Sequence, residues 1–445
     1  MARTRLAVVG LWHLGAVASA ALAHMGHTVR ATDFDPDIVR KLQQGIPPVY
    51  EPGLAELIAE QTREGRLEFC FSCAEAFTQA EAVFITIDTP VDENDQSDLA
   101  PIEWAIDTIA EHAPAGVEIV VMSQVPVGTC LRLAERLRNR APRLAFQLVY
   151  HPENLRLGEA LKTFLDPDFL LVGAEEQAAA DHLLGLYNGV RAPHLKMSTT
   201  SAEMAKHALN AFLATSVSFA NELAGLAEVC GADVRDVVRG MRHDRRIGSR
   251  AFLDPGPGFS GGTLGRDVHT LRRLGQQAGR STAQLDATLE VNRQRLPSLI
   301  EKIRGACGGL RGIRVGLLGL TYKPGTNTLR RSHAVALGQL LVEAGSEVRA
   351  FDPQIREPRP ETAGIVLCTD PYQAAEAADA ILVMTPWPEF KHLDLARLHG
   401  AMRQPVLLDA HNFLDCHAAR VAGLRYSGVG IPEQVLARAE SGVGR

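Results

Sequence analysis

The chain has 445 residues, of which 46% are hydrophobic and 22% are charged, and its net charge is −6. A chain of this length exceeds one ordinary hydrophobic core, so we expect a soluble globular protein of two or three domains. The mild acidity without a basic block argues against a nucleic-acid partner, and the lack of about 18 consecutive apolar residues argues against a membrane span.

The N-terminal third alternates short apolar runs with helix-length segments. The runs are RLAVVG, HTVRATD, AVFITID, EIVVMS and QLVY, and their alternation predicts a parallel sheet with helices on both faces. The first run begins without a signal-peptide core, so we expect a cytoplasmic protein. Cys70 and Cys73 have CxxC spacing without a second pair or a histidine cluster, so we expect reduced cysteines and no metal site.

The segment VVGLWHLG, residues 8–15, resembles a dinucleotide-binding turn between a strand and a helix. Gly10 ends the strand, Gly15 opens the helix, and Asp33 follows Gly10 by 23 positions, a distance that suits contact with a ribose hydroxyl. Trp12 occupies the place of the middle glycine, which normally lets the backbone approach the pyrophosphate. Three alternatives follow: the phosphates lie further out, the indole turns aside and lines the pocket, or the site is closed.

The C-terminal third repeats the pattern of the first. IRVGLLGLTYKPG, residues 313–325, has the character of RLAVVGLWHLG, and EVRAFDP echoes TVRATDFDP. Each copy reads as strand, glycine turn, helix, strand and acid, so we predict an α/β protein with two Rossmann-like, doubly wound domains.

A long helix is predicted between the two repeats. Apolar residues recur at helical spacing from Ser201 to Cys230, and Lys206 and Asn210 share one face of an alanine-rich stripe. The glycine- and proline-rich segment DPGPGFSGG, residues 254–262, follows with arginines on both sides, which favours a ligand loop over a plain linker.

These motifs together resemble the UDP-glucose/GDP-mannose dehydrogenase family from end to end. The matching segments are VYEPGL, DTP, SDL, SQVPVGT, HPENLRLG, AEMAKHALNA, RIGSRAFLDPGPGFSGGTLGRD and GLTYKPGTNTLRRS. The resemblance implies an NAD-binding domain at 1–198, a central helical domain with the dimerisation helix and the substrate loop at 199–305, and a UDP-binding domain at 306–445. It also implies NAD as cofactor, a UDP-sugar as substrate, a homodimer, and a role in polysaccharide or glycoconjugate supply.

The resemblance also assigns residues to roles. Lys206 and Asn210 would stabilise an alkoxide-like oxygen, Asp267 would orient water or an acid–base group, and Glu153 would assist late hydrolysis. The cofactor would contact Gly10, Trp12, Leu14, Gly15, Asp33, Thr89, Pro90 and Gln124. The nucleotide sugar would contact Leu155, Arg156, Arg246, Phe252, Gly258, Lys323 and Arg330.

The sequence departs from the family pattern mainly at positions that carry catalytic residues in the family. Thr263 stands at the position of the family's catalytic cysteine, and Gln124 replaces the threonine of STVPVGT. Other changes are His151 for an asparagine, Arg266 for a lysine, Phe169 and His411 for arginines, and Arg331 for an acid. The residues that would serve the first oxidation, Lys206, Asn210 and Asp267, therefore remain. The cysteine and the threonine that would serve a second oxidation through a thioester do not.

Two hypotheses follow from this division. The first is NAD-dependent oxidation of a nucleotide sugar without a thioester, which stops at an aldehyde, acts on a secondary hydroxyl, or reaches the acid through a hydrated aldehyde. The second is a nucleotide-sugar binding or regulatory protein that has lost catalysis.

Overall fold

The computed structural model describes residues 3–92, 95–152, 155–187 and 189–432. The chain forms two compact units, Met1–Ala208 and Leu209–Arg445, and the long helix contributes residues to both. The three-domain division at 198/199 and 305/306 stays a prediction. In the part of the chain that the structure describes, no helix combines the length and the apolar character needed to cross a bilayer.

The first unit contains an eight-stranded sheet. Its strands are β1 Arg5–Val9, β2 Thr28–Thr32, β3 Leu67–Cys70, β4 Ala82–Ile85, β5 Val117–Val121, β6 Phe146–Tyr150, β7 Leu170–Ala174 and β8 His194–Met197. Its helices are α1 His13–His24, α2 Pro36–Gln43, α3 Leu54–Arg63, α4 Cys73–Phe77, α5 Ala100–His112, α6 Thr129–Arg140, α7 Ala160–Leu165 and α8 Gln177–Leu186. The 32-residue helix α9, Thr199–Cys230, follows and extends about 48 Å at 1.5 Å per residue.

The second unit contains a six-stranded sheet. Its strands are β9 Arg314–Leu318, β10 Glu347–Phe351, β11 Ile365–Leu367, β12 Ala380–Val383, β13 Val406–Asp409 and β14 Arg425–Gly428. Its helices after α9 are α10 Val234–His243, α11 Leu264–Gln277, α12 Ala283–Arg293, α13 Arg295–Cys307, α14 His333–Glu343, α15 Pro371–Ala375, α16 Leu395–Ala401 and α17 Cys416–Val421, with 3₁₀ turns at Pro360–Thr362 and Pro388–His392.

Both sheets have the strand order of a dinucleotide-binding fold. The first runs β3-β2-β1-β4-β5-β6-β7-β8, with only the β6–β7 pair antiparallel, and the second runs β11-β10-β9-β12-β13-β14 with every pair parallel. In each sheet the order reverses beside the first strand, where a crevice opens at the carboxyl ends of the strands. The predicted fold class of two Rossmann-like sheets and a long central helix is confirmed.

Apolar residues cover both faces of each sheet. Val8 and Phe84 belong to one core of the first unit, whereas Ala7 and Val9 on the alternate face belong to another. Leu317 and Leu318 divide in the same way between two cores of the second unit. Because a strand buried on both faces needs no polar alternation, the strands appear in the sequence as continuous apolar runs.

Candidate functional site

The glycine turn after β1 brings α1 against the carboxyl end of the first sheet. Gly10 has φ 95°, and a Cβ there would lie 2.7 Å from the Ile87 backbone. A Cβ on Gly15 would lie 1.7 Å from the carbonyl oxygen of Gly10. Both positions therefore require glycine, and they fix the N-terminus of α1 over the crevice.

Trp12 is the N-cap residue of α1 and makes no side-chain capping bond. The first-turn N–H groups of a helix lack intrahelical acceptors, so an uncapped N-terminus suits a phosphate group. Trp12 is 45% exposed, so its indole lies at the surface beside the turn and is not part of the hydrophobic core.

Asp33 follows β2 beside the same turn. Its Oδ2 accepts the N–H of Leu11 at 2.5 Å, its Oδ1 accepts the N–H of Asp35 at 2.9 Å, and 7% of the residue is exposed. Burial raises the pKa of Asp33, and these N–H donors oppose that shift. The glycine turn, the uncapped helix and this carboxylate together fit the pyrophosphate and ribose of NAD.

The corresponding acid of the second sheet has a different environment. Asp352 has no exposed surface, and its Oδ2 accepts the N–H of Leu320 at 2.7 Å and Nε1–H of Trp387 at 3.1 Å. A carboxylate sealed in this way has no free path to a ribose hydroxyl. The two repeats therefore share a backbone plan but do not offer equivalent dinucleotide sites.

The loops after β4 and β5 meet at the crevice. Thr89 Oγ1 donates to the carbonyl of Gln124 at 2.8 Å, which joins two of the predicted cofactor residues. Pro90 is exposed beside Thr89, and Leu14 of α1 packs against the first core. These residues line the edge where the dinucleotide is expected.

The first turns of α9 are attached to the β5–α6 segment. The buried carboxylate of Glu203 accepts the N–H groups of Gly128 at 2.5 Å and Cys130 at 2.7 Å. The ring Nε2 of His207 is bonded to the carbonyl of Val125 at 2.8 Å. Lys206, which is 6% exposed, lies between these two anchors, so its position along the helix is firmly set.

Glu51 is a buried carboxylate beside α1 that the sequence analysis did not single out. It is 3% exposed, its Oε2 lies 3.0 Å from Nε2 of His13, and its Oε1 accepts the N–H of Ala160 at 2.7 Å. It also accepts the N–H of Gly158 at 2.9 Å. The carboxylate thus ties α1 to the start of α7, and the quoted motif VYEPGL was its only sequence signal.

The segment before α7 carries three predicted site residues. Glu153 lies outside the described residues. Leu155 is partly buried against the first core, and Arg156 is exposed with Nη2 4.0 Å from Oδ2 of Asp168. Nearby, burial lowers the pKa of His151 to about 4, so this histidine is uncharged at neutral pH.

In the second unit, Asn210 and Asp267 form a buried pair. Asn210 Nδ2 donates to Asp267 Oδ2 at 2.5 Å, and their exposures are 6% and zero. Asp267 lies in the first turn of α11, and Thr263 is the N-cap residue of that helix with an exposed side chain that makes no capping bond. The predicted acid–base group and the position of the missing cysteine are therefore one helical turn apart.

The loop at 254–262 is held by amide side chains from helices. Asn221 Oδ1 of α9 accepts the N–H of Gly256 at 2.8 Å, and Asn292 Oδ1 of α12 accepts the N–H of Phe259 at 2.8 Å. Gly258 has φ 99°, and a Cβ there would overlap the Asn292 side chain. The sequence pointed to this loop but not to the residues that hold it.

The same loop passes against the segment that follows β9. A Cβ on Gly261 would lie 2.9 Å from the Tyr322 ring, and one on Gly262 would lie 3.5 Å from Cζ of Arg330. Lys323 Nζ lies 5.8 Å from the centroid of the Tyr322 ring. The structure thus places Gly261 and Gly262, in the same loop as Gly258, beside Tyr322 and Arg330 after β9.

Two predicted substrate residues are exposed in the segment that precedes the loop. The guanidinium of Arg246 bonds Asp244 at 3.0 and 2.6 Å and is 89% exposed, and Phe252 is 49% exposed. Both belong to the surface segment between α10 and the loop.

His411 removes a charge from the carboxyl end of β13. Its Nε2 is bonded to the carbonyl of Met384 at 3.1 Å, and burial lowers the pKa of His411 to about 4. Burial has the same effect on His333, whose pKa is also about 4. The arginine expected from the resemblance is thus replaced by a neutral ring at neutral pH.

Replacing Trp12 with glycine is expected to tighten NAD binding about tenfold, equivalent to ~1.4 kcal/mol, because it frees the approach to the turn. Isothermal titration calorimetry with NAD measures the change. Trp12→Phe keeps a ring at the turn and serves as the control without tightening. An unaltered Kd for Trp12→Gly would show that the indole does not crowd the dinucleotide.

Comparison with known families covers most of the chain. Three domain models of the UDP-glucose/GDP-mannose dehydrogenase family match the chain. The NAD binding domain matches residues 4–191, the central domain residues 200–294 and the UDP binding domain residues 316–416.

Individual relatives match over nearly the full length. The chain is 34% identical to UDP-glucose 6-dehydrogenase TuaD of Bacillus subtilis strain 168, over 96% of this chain and 93% of that protein. It is 36% identical to UDP-glucose 6-dehydrogenase of Pseudomonas aeruginosa PAO1, over 96% and 98%. A UDP-glucose dehydrogenase structure from Pyrobaculum islandicum superposes with a TM-score of 0.89 at 34% identity, covering 97% of this chain and 98% of that chain.

Proposed function

The chain belongs to the UDP-glucose/GDP-mannose dehydrogenase family, and on that premise we propose that it oxidises C6 of UDP-glucose once, to the aldehyde, without a thioester intermediate. It is an NAD-dependent oxidoreductase that acts on a nucleotide sugar. The proposal concerns the sugar, the carbon and the number of hydrides transferred.

The observation that carries the proposal is the buried Asn210–Asp267 pair with Lys206 one turn earlier on α9. In the proposed step the C6–H bond breaks, its electron pair leaves as hydride, and the hydroxyl proton is released, which leaves the aldehyde and NADH. NAD supplies the hydride acceptor. The Lys206 ammonium stabilises the negative charge that develops on the oxygen, and Asn210 and Asp267 orient that oxygen.

The absence of a thiol at position 263 supports a single oxidation. The resemblance implies that the second hydride transfer follows addition of a cysteine thiolate to the aldehyde, and a threonine hydroxyl is a poor nucleophile without a positioned base. The Thr263 side chain is exposed at the start of α11 and makes no capping bond. The aldehyde and its hydrate are therefore the products we expect.

Substrate contacts are proposed for the loop cluster and its neighbours. Gly258, Lys323 and Arg330 would hold the UDP-sugar, since two cations beside a glycine loop suit a diphosphate. Arg246, Phe252, Leu155 and Arg156 are proposed as further contacts, and Glu153 as an aid to hydrolysis where an acid is formed.

Turnover with NAD tests the proposal directly. UDP-glucose is expected to give one NADH per sugar, read by absorbance, and mass spectrometry is expected to find the C6 aldehyde or its hydrate. UDP-xylose, which lacks C6, is the matched control and gives no NADH. Two NADH per sugar with the acid as product would contradict the single oxidation. Stabilisation by UDP-glucose but not by NAD would favour the binding or regulatory alternative.

We also propose a cytoplasmic homodimer that serves polysaccharide or glycoconjugate synthesis. An apolar stripe on α9 stays exposed, with Phe212 at 72%, Phe219 at 48% and Leu226 at 60%. Their spacing of seven residues puts them on one face of the helix, which a second copy would cover.

Replacing Phe219 with aspartate is expected to weaken this dimer by at least about 30-fold, because an interface aromatic is lost and a charge enters an apolar contact. Light scattering after size-exclusion chromatography measures the mass. Val421→Asp, at a residue that is 76% exposed on α17, is the control. A Phe219→Asp protein that keeps the wild-type mass would place the dimer contact elsewhere.

A further inference from the structure

Two exposed aromatic rings touch each other at the carboxyl edge of the first sheet. Phe34 directly follows Asp33, and Trp104 lies in the second turn of α5. Phe34 is 59% exposed and Trp104 is 42% exposed. Their ring centroids are 6.2 Å apart and their planes cross at 76°, which is an edge-to-face contact.

Core packing does not account for this pair. The buried face of α5 is formed by Ile102, Ala105, Ile106 and Ile109, and Trp104 lies on a different face. Phe34 lies in the short turn between β2 and α2, where Asp35 already caps α2 through the N–H of Asp37. Neither ring caps a helix or packs in the core, so the apolar surface that the two rings expose together suggests a binding partner.

The position of the pair relative to Asp33 identifies that partner. Pyrophosphate is expected at the glycine turn and ribose at Asp33, so the adenine base lies beyond Asp33, away from the turn. Phe34 is the next residue in that direction. α5 is the helix that follows β4, on the other side of the point where the strand order reverses.

We propose that Phe34 and Trp104 form an aromatic platform for the adenine of NAD, which stacks face to face on one ring and contacts the other ring at an edge, since the two ring planes cross at 76°; this rests on the dehydrogenase function proposed above. Purine rings stack on aromatic side chains without base-specific hydrogen bonds. Such stacking adds affinity at the adenosine end of the cofactor. The pair contributes to cofactor binding and takes no part in hydride transfer.

The platform is tested by measuring how the full-length protein binds AMP and nicotinamide mononucleotide, the two halves of NAD. Of Phe34→Ala and Trp104→Ala, the variant that removes the stacked ring is expected to weaken AMP and NAD binding by roughly 5- to 150-fold, the range for loss of one stacked base. The other alanine variant removes an edge contact and should weaken them by a smaller factor, while nicotinamide mononucleotide binds both variants as before. Phe34→Tyr and Trp104→Phe keep a ring and should stay within a few-fold of wild type. Val421→Ala, an exposed apolar truncation on α17, is the control.

Two further readouts separate stacking from a general structural effect. The alanine variants should raise KM for NAD and leave kcat nearly unchanged, since the contact is equal in ground and transition states. In a Trp12→Phe background, AMP should quench tryptophan emission, and Trp104→Phe should abolish that quenching because the remaining Trp387 is buried.

The possible results separate failure of the platform proposal from failure of the proposed dehydrogenase function. Unchanged AMP affinity in both alanine variants, or quenching that survives Trp104→Phe, overturns the platform while wild-type turnover still supports the dehydrogenase. Equal weakening of AMP and nicotinamide mononucleotide overturns it as well, since the effect would not be local to adenine. A wild-type protein that binds neither NAD nor AMP overturns both.

Discussion

Replacing Lys206 with methionine is expected to lower kcat for UDP-glucose oxidation by about 10²–10³-fold, the cost of removing one donor to a developing oxyanion. Lys206 is 6% exposed, so its ammonium acts where little water competes. Methionine keeps most of the apolar stem and removes only the charge. Steady-state NADH formation at saturating NAD and UDP-glucose measures the change.

A matched control distinguishes this effect from a loss of net charge. Lys41→Met removes a cation from the exposed face of α2 and should leave kcat unchanged. The anchors on either side of Lys206, Glu203 and His207, are not altered, so NAD affinity should stay close to wild type. A Lys206→Met protein with wild-type kcat would mean that another group stabilises the oxygen.

The fold was predictable because its strands are buried on both faces. Continuous apolar runs such as RLAVVG and AVFITID mark strands that need no polar alternation, and the endings VRATDFDP and VRAFDP mark the same point of two sheets. The central helix was also predictable, since its alanine stripe has helical spacing. The structure extends that helix two residues earlier than the predicted start, to Thr199.

Candidate site residues could be named from the sequence where they lie in short motifs, whereas residues that hold the surrounding loops through long-range contacts could not. Glu51 accepts the N–H of Gly158 from 107 residues away, and Asn292 accepts the N–H of Phe259 from 33 residues away. In a single sequence each looks like an ordinary polar residue of a turn or a helix. Their partners are set by tertiary packing, which leaves no local pattern.

Arg246 illustrates the opposite difficulty. The resemblance assigns it to the substrate, but in the structure its guanidinium bonds Asp244, two residues earlier. An arginine in a surface segment takes its partner from the local turn unless a ligand or another chain offers a better one. Sequence motifs therefore locate such a residue in the chain without fixing what it contacts.

Replacing Thr263 with cysteine is expected to raise the yield from one NADH toward two per UDP-glucose and to convert the product from aldehyde to acid. The introduced thiol would occupy the N-cap of α11, where the helix N-terminus lowers a thiol pKa and so favours the thiolate. Addition of the thiolate to the aldehyde gives a thiohemiacetal. Loss of a second hydride from that carbon to a second NAD, with release of the hydroxyl proton, would give a thioester, and water would then release the acid and the thiol.

The geometry of the second unit makes this substitution informative. Asp267 lies one turn after position 263. Its backbone N–H donates to the backbone carbonyl of Thr263 at 3.2 Å, and this bond does not depend on the side chain at position 263. Thr263→Ser keeps a hydroxyl of similar size and should still give one NADH, which separates sulfur chemistry from altered packing. Mass spectrometry of the product and alkylation of the new thiol by iodoacetamide, with and without UDP-glucose, follow the two halves of the reaction. If the thiol is alkylated but no acid forms, even when Gln124→Thr is added, the missing sulfur is not what confines this enzyme to a single oxidation.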